Sequence, residues 1–337
     1  MKEYAFGVDI GGTTVKIGLF KTDGELLEKW EIPTRTEEEG SHILPDIAGA
    51  VRQKAEERKI LPEEVEGIGV GVPGPVDDSG TVLKCVNLGW GIFNVKDSLS
   101  ALTGWPVAVG NDANVAAMGE LWQGSGKGYR NMVMVTLGTG VGGGVIVDGK
   151  VISGAHGAAG EIGHMTVSRN ETEICGCGKK GCLEQYASAN GVARLAKRYL
   201  ATGSGAAADG SAAAGSGSAA NGSTVSAACR ETCLRKENRV GAKAVFDAAK
   251  AGDAGALEIL EQFGEVLGRA LASVACVADP EVFVIGGGVS KAGTIVTDVI
   301  RKYYTLYAFH ASAGTEFRIA ELGNDAGIYG GVSLLLS

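Results

Sequence analysis

Residues 4–32 read YAFGVDIGGTTVKIGLFKTDGELLEKWEI, a stretch in which apolar runs alternate with turn residues. This pattern predicts a strand over residues 4–9, a glycine turn over 10–14, and further strands over 15–20 and 26–32. Residues 132–152, MVMVTLGTGVGGGVIVDGKVI, repeat the order of strand, glycine turn, strand, Asp-Gly turn and strand. One structural unit is therefore used twice.

The rest of the chain alternates between helical and strand-like patterns. Helices are predicted near residues 47–58, 95–102, 189–201, 242–251, 256–277 and 295–304. Buried strands are predicted in IGVGVPGPVD (68–77), VAVGND (107–112) and EVFVIGGG (281–288). This alternation indicates an α/β protein, and 337 residues are enough for two lobes.

Composition excludes several classes of protein. With 45% hydrophobic residues the chain can bury a core, so it is not wholly disordered, and its net charge of −8 argues against general nucleic-acid binding. The N-terminus lacks the pattern of a secretory signal, and five glycines interrupt the apolar stretch at 132–147, so no membrane helix is expected. Three of seven cysteines crowd into residues 175–182, which favours a metal site in a reducing cytoplasm.

Three glycine runs are candidate binding turns for a nucleotide. Glycines at 9–14 and 138–144 allow backbone N–H groups to approach a phosphate, and Asp9 can position a hydrated Mg²⁺. A third run, 286–288, can admit the nucleoside. A tight turn with positive φ explains any one run alone, but the repeated turn favours a phosphate clamp between lobes. The candidate residues are Asp9, Gly11, Gly12, Thr13, Thr14, Gly138, Thr139, Gly140, Gly142, Gly286, Gly287 and Gly288.

Asn111 and Asp112 end one predicted strand and begin the helix ANVAAMGELW. Both residue types are favoured as helix N-caps whatever the function. A carboxylate at the junction of two lobes can equally accept the proton of an attacking hydroxyl, as phosphoryl transfer requires. Spacing alone leaves both interpretations open.

The strongest local pattern is His164 followed by Cys175, Cys177 and Cys182. Three thiolates and an imidazole complete a tetrahedral zinc shell, and a full shell without an open position is structural. Glu161 and Glu184 bracket this segment. They are either surface carboxylates or, if the metal fixes the loop, rigid acceptors for vicinal sugar hydroxyls.

Residues 203–227 are almost entirely Gly, Ala and Ser. Such a composition cannot form a core, so we predict a flexible surface insertion there. Cys229 and Cys233 follow it one helical turn apart, but no His or further Cys lies nearby, and we interpret them as ordinary thiols.

The motifs DIGGTT, GVPGPVD, NLGW, NDAN, LGTGVGGG, GAHGAAGEIGH, CGCGKKGCLE and VIGGGVS span nearly the whole chain. In these motifs the sequence resembles the ROK sugar kinases (repressor, open reading frame, kinase), above all those that phosphorylate glucose. The resemblance implies a two-lobed α/β fold of the actin-like ATPase (ribonuclease H-like) type with substrates in the cleft. We predict lobes at 1–112 and 113–324, a zinc loop at 164–184, and a C-terminal helix near 325–337 that packs back on the first lobe.

Carried over residue by residue, the resemblance makes Asp112 the general base. It places Gly74, Asn111, Asp112, Glu161, His164 and Glu184 around the sugar, and makes His164, Cys175, Cys177 and Cys182 the zinc ligands. Phosphates are expected at the Asp9 and Gly138 turns, and the nucleoside near Gly286, Gly287 and Gly288.

The expected activity is ATP- and Mg²⁺-dependent phosphorylation of the 6-hydroxyl of a hexose, with glucose as the best substrate. A ROK kinase for N-acetylglucosamine, N-acetylmannosamine or fructose uses the same motifs. A sugar-responsive ROK repressor is the other alternative, but no basic helix precedes the first predicted strand. We expect a cytoplasmic homo-oligomer, dimer or tetramer, that contacts neither nucleic acid nor membrane; the phosphate donor other than ATP stays open.

Overall fold

The computed structural model describes residues 2–83, 85–201 and 232–337; of Val86 it describes only the backbone. The predicted insertion at 203–227 and Cys229 lie outside the described residues. The strands are β1 (Tyr4–Ile10), β2 (Thr14–Lys21), β3 (Leu26–Pro33), β4 (Val65–Val72), β5 (Thr81–Val82), β6 (Phe93–Asn94), β7 (Val107–Asn111), β8 (Met132–Leu137), β9 (Val141–Val147), β10 (Lys150–Val151), β11 (Val282–Gly286) and β12 (Glu316–Ile319).

Two five-stranded sheets within the described ranges have the same topology. The first has the order β3-β2-β1-β4-β7, and the second has the order β10-β9-β8-β11-β12. In each, three strands form an antiparallel meander. The first of them also pairs in parallel with a later strand, and that strand pairs in parallel with the next one. The duplicated unit predicted from residues 4–32 and 132–152 is confirmed.

Helices cover both sheets and fill the space between them. The helices are α1 (Glu37–Gly40), α2 (Ile43–Arg58), α3 (Val95–Thr103), α4 (Asp112–Gln123), α5 (Glu184–Ala187), α6 (Ala189–Ala201), α7 (Ala242–Lys250), α8 (Ala254–Ala278), α9 (Thr294–Tyr307) and α10 (Ala326–Leu336). One core joins the first sheet to α2 and α3, and a second joins the other sheet to α5 through α9.

Helices α4 and α10 connect the two halves of the chain. Ala117 and Met118 of α4 pack against Met132 and Met134 of the second sheet. Ile328 and Val332 of α10 pack with Ala5 and Phe20, so the C-terminal helix lies on the first sheet. The exact lobe boundary at residue 112 stays a prediction.

The second glycine turn is shorter than the predicted 138–144. Strand β9 begins at Val141, and Gly142 pairs with Thr136 of β8, so Gly142 and the two glycines after it belong to the sheet. Their role is close packing: a Cβ on Gly143 would lie 2.6 Å from the Gly160 carbonyl oxygen. The prediction of Gly142 as a turn residue is therefore wrong, and the turn is 138–140.

The structure also bears on membrane insertion. In the part of the chain that is described, every helix is too short or too polar to cross a bilayer.

Candidate active site and metal cluster

Asn111 terminates β7 and caps α4. Its side-chain oxygen accepts hydrogen bonds from the backbone N–H groups of Ala113 (3.0 Å) and Asn114 (3.3 Å). Its amide nitrogen donates to the carbonyl of Gly74 (3.0 Å), which fixes the GVPGPVD loop against the start of the helix. The Asp112 carboxylate adds one hydrogen bond here, because its Oδ1 accepts the Ala113 N–H (2.8 Å). Since Asn111 is the main cap, this carboxylate can still accept a proton.

The Asp112 carboxylate lies in a negatively charged part of the cleft. Desolvation by the surrounding protein raises its pKa although the side chain keeps contact with solvent, and the charge of Glu161 raises it further. Desolvation also raises the pKa of Asp9, with Asp112 adding to the rise and Lys16 opposing it. The charge of Glu161 thus acts on Asp112 and that of Asp112 on Asp9, and this environment favours a cation or a proton.

The first glycine turn is anchored on one side and open on the other. The Gly11 N–H donates to the Thr14 carbonyl (3.0 Å), and the Thr34 hydroxyl donates to the Gly11 carbonyl (2.7 Å). The Thr34 N–H also donates to the Thr13 carbonyl (2.9 Å). A Cβ on Gly12 would meet no atom within 4 Å, so the outer side of the turn is accessible to a ligand.

The second glycine turn is anchored by the start of α6. The Gly138 N–H donates to the Gly140 carbonyl (3.0 Å), and the Gly138 carbonyl accepts from the Ala189 N–H (2.8 Å). The side-chain amide of Asn190 donates to the Thr139 carbonyl (3.0 Å). A Cβ on Gly138 would also meet no atom within 4 Å. The two turns thus share an anchored base and an open glycine, as a phosphate clamp requires.

The 286–288 run lies directly beside the second glycine turn. Gly286 ends β11, and Gly287 adopts a positive φ of 83°. A Cβ added to Gly287 would lie 2.6 Å from the Leu137 carbonyl group, so the two backbones are in close contact. The Ser290 hydroxyl donates to the Gly287 carbonyl (2.8 Å), while the Cβ position of Gly288 is open. The structure therefore places the second predicted phosphate turn next to the run predicted for the nucleoside.

His164, Cys175, Cys177 and Cys182 form a compact cluster. One donor atom from each lies within 4.8 Å of the other three. The Cys177 and Cys182 sulfurs are 3.6 Å apart, and the His164 Nδ1 lies 3.8 Å from the Cys175 sulfur. Ligands about 2.3 Å from a tetrahedral zinc ion are separated by about 3.8 Å, so the cluster fits zinc. The opposite nitrogen, His164 Nε2, lies 3.9 Å from a Glu161 oxygen.

Backbone hydrogen bonds form the loop that presents the cysteines. The Cys175 N–H donates to the Lys179 carbonyl (2.7 Å), and the Gly178 N–H donates back to the Cys175 carbonyl (2.8 Å). The Lys179 ammonium group donates to the His164 carbonyl (2.9 Å), which joins this loop to the histidine.

Glu184 connects the metal cluster to the second glycine turn. Its Oε1 lies 3.7 Å from the Cys175 sulfur, and its Oε2 accepts the Val141 N–H at 3.1 Å. Sequence spacing shows that Glu184 is near Cys182 but gives no signal for the contact with Val141, which lies 43 residues away. This carboxylate can therefore transmit a change at the cluster to the turn at 138–140.

Gly140→Ala tests this connection, because an added Cβ would lie 2.2 Å from Glu184 Oε2. The alanine is expected to displace the flexible carboxylate and break its charge-assisted hydrogen bond to the Val141 N–H. Because the motifs place Glu184 beside the expected sugar, this loss should raise the KM for that sugar about 3- to 10-fold, with little change in Tm. Steady-state kinetics on the variant check this. Gly49→Ala, where a Cβ meets nothing within 4 Å, is the control; equal KM values in both variants would contradict the prediction.

The structure also shows two features that could not be predicted from the sequence. A cavity of about 320 Å³ adjoins Asn111 and is lined by Asn114 and Gly157. This volume is at the lower end of small-molecule sites. The second feature is Glu171, in the loop before Cys175, whose side chain is fully buried.

Residues 5–337 match the ROK family, and the chain belongs to it. It is 43% identical over 331 residues to a glucokinase of Halalkalibacterium halodurans, covering 96% of this chain and 92% of that protein. It is 34% identical to a glucokinase of Thermotoga maritima, covering 98% and 96% of the two chains.

A solved ROK glucokinase from Streptomyces griseus in complex with glucose and AMPPNP has the same fold. It superposes with a TM-score of 0.70 at 33% identity over 98% of each chain. The actin-like two-lobed α/β architecture expected from the motifs is confirmed.

Proposed function

We propose that this chain is an ATP-dependent glucokinase, which transfers the γ-phosphate of ATP to the 6-hydroxyl of glucose. Full-length similarity to glucokinases supports the substrate pair. The geometry that supports the reaction best is the Asp112 carboxylate, which has a raised pKa and lies at the start of α4, where Asn111 is the main cap. The charge of Asp112 also acts on Asp9 at the first glycine turn, and this arrangement suits phosphoryl transfer to a hydroxyl.

In the proposed reaction Asp112 accepts the proton of the 6-hydroxyl while that oxygen forms a bond to the γ-phosphorus. The bond from the γ-phosphorus to the bridging oxygen breaks, and the electrons leave with ADP. Backbone N–H groups of the turns at 11–14 and 138–140 stabilise the charge on the transferred group. Mg²⁺, for which Asp9 is the proposed anchor, neutralises phosphate charge when bound.

We assign the sugar hydroxyls to the side chains on the other side of Asp112. Glu161 and Glu184 offer acceptors, and the Nε2–H of His164 offers a donor when Nδ1 binds the zinc. Asn111, which holds the Gly74 loop, completes the proposed set. Zinc in the His164 cluster would hold this loop in place and supply no catalytic step, because its four protein ligands leave no open position.

An assay of a sugar panel with ATP tests the proposal. Glucose is expected to have the highest kcat/KM, and N-acetylglucosamine, N-acetylmannosamine and fructose lower values. A higher kcat/KM for one of these three would keep the kinase and correct the substrate, whereas phosphorylation of none of the four would contradict the function. We further propose that the enzyme acts in glycolysis in the cytoplasm and that it is a homo-oligomer. Size-exclusion chromatography with light scattering would test the oligomeric state.

A further inference from the structure

Glu171 is a fully buried carboxylate in the loop between His164 and Cys175. Its Oε1 accepts from the backbone N–H groups of Thr172 and Glu173, both at 3.0 Å, and from Arg198 at 2.9 Å. Its Oε2 accepts further hydrogen bonds from a phenol and a second guanidinium group, those of Tyr186 (2.6 Å) and Arg194 (2.8 Å). Both oxygens are thus saturated with donors.

The partners of Glu171 belong to the two helices that border the proposed active site. Tyr186 lies in α5, two residues after Glu184. Arg194 and Arg198 lie in α6, whose first two residues donate hydrogen bonds to the glycine turn at 138–140. One carboxylate therefore joins the loop before the cysteines to both helices.

The network depends on the charge of Glu171. Its hydrogen bonds and the two arginines hold the pKa of this carboxyl at about 2 against the effect of burial, so it is ionised at every working pH. Removing one member would leave buried charges without partners, which makes such networks sensitive to single substitutions.

We propose that Glu171 is a positioning residue for sugar binding, which fixes α5, and Glu184 with it, against the metal loop. The inference rests on the proposed function, since Glu184 is a sugar ligand only there. A residue that merely stabilised the fold would lower Tm without a selective effect on the sugar. Glu171 should instead act on sugar KM and on zinc retention more than on kcat, because Asp112 is not part of the network.

Glu171→Gln tests the inference, with Glu173→Gln as the matched control. The Gln keeps the shape but places an amide donor opposite Tyr186 or an arginine. Glu173 contacts the same two arginines from an exposed position. For Glu171→Gln we expect the sugar KM to rise about 5- to 10-fold, kcat to stay within about 2-fold, and zinc to pass to a chelator about 10-fold faster. Glu173→Gln should stay within about 2-fold of the unmodified protein in all three.

A sugar KM within 2-fold of the control, with a lowered Tm, would overturn the proposal and leave Glu171 a stabilising residue. If Glu171→Gln does not fold, Tyr186→Phe decides, because it removes one of the five hydrogen bonds. Rises of about 3-fold in the sugar KM and in the rate of zinc release would support the proposal. If neither value rises, the proposal is overturned. The unmodified protein is first assayed with the sugar panel, so a failed glucokinase assignment is recognised separately, and zinc release is measured without any substrate.

Discussion

Asp112→Asn is expected to lower kcat by roughly 10²-fold or more, because removal of a general base typically costs 10²- to 10⁴-fold. The amide is isosteric and cannot accept the proton of the 6-hydroxyl, but it can still accept a hydrogen bond. Binding of the sugar should therefore stay within about 3-fold. Steady-state kinetics, together with calorimetric titration of glucose into the variant, separate the two effects.

Asp97→Asn is the matched control for this prediction. Asp97 lies in the first turn of α3, as Asp112 does in α4, and its helix is likewise capped by a preceding asparagine, Asn94. A carboxylate that only interacts with the helix dipole contributes about 0.3–1 kcal/mol to stability and nothing to the reaction. If Asp112→Asn retained a near-normal kcat, as the control should, Asp112 would be a helix-terminal charge and not the base.

The pH dependence follows from the direction of the Asp112 pKa. A base must be ionised, and desolvation with the nearby charge of Glu161 raises this pKa above that of an ordinary aspartate. The kcat/KM of the enzyme should therefore fall on the acid side with a midpoint above the usual value of about 3.9. The residual kcat/KM of Asp112→Asn should no longer fall on the acid side in this way. If the same acid-side fall persisted in the variant, it would belong to another titrating group.

The same shift predicts that Asp112→Asn is more stable than the unmodified protein near neutral pH. A carboxyl with a raised pKa binds more protons in the folded than in the unfolded state between the two pKa values, so stability falls as pH rises through that window. Above the window the ionised group opposes folding. Thermal melts at neutral and acid pH should show a higher Tm for the variant only at neutral pH. Equal Tm values for the two proteins at both pH values would contradict the expected cost of burying the ionised Asp112 beside Glu161.

The topology and the clustering of His164 with the three cysteines could be predicted because their signals are local in the sequence. Repeated turns between apolar runs indicate the meander wherever it occurs, and the Cys-x-Cys spacing limits which loop can present thiols. The boundary of the second turn could not be predicted, because a glycine in a strand looks like a glycine in a turn. Gly142 pairs with Thr136 across β8 and β9, and only the packing against α4 and residue 160 explains the glycines that follow it.

Contacts between distant segments gave no sequence signal. Glu171 stands in the polar run RNETE, where an acidic residue is normally solvated, and only the fold brings Arg194 and Arg198 to it. The bond between Glu184 and Val141 is of the same kind. Motifs therefore indicate candidate substrate contacts, whereas the residues that hold those side chains in place depend on tertiary structure.

Cys177→Ala is expected to remove the zinc ion and raise the sugar KM by about 5-fold or more. Cys177 is the exposed member of the cysteine triad, so its truncation should leave no cavity in the core. Loss of the metal would release His164, three residues after Glu161, and Cys182, two residues before Glu184. Two carboxylates that must be ordered at each binding event cost about 0.5–1.5 kcal/mol each, which is roughly 5- to 150-fold in affinity.

The KM for ATP should rise less than the sugar KM in this variant. The second glycine turn contacts the zinc loop through Glu184 but is also held by Ala189 and Asn190, and the first turn is held by Thr34. Elemental analysis for zinc and both KM values are the measurements, with the exposed Cys276→Ala as control. Since Glu171 holds the same loop from its other side, Cys177→Ala combined with Glu171→Gln should raise the sugar KM by less than the product of the single effects. A zinc-free Cys177→Ala protein with an unchanged sugar KM would show that the cluster is remote from recognition and that the link through His164 and Glu184 is wrong.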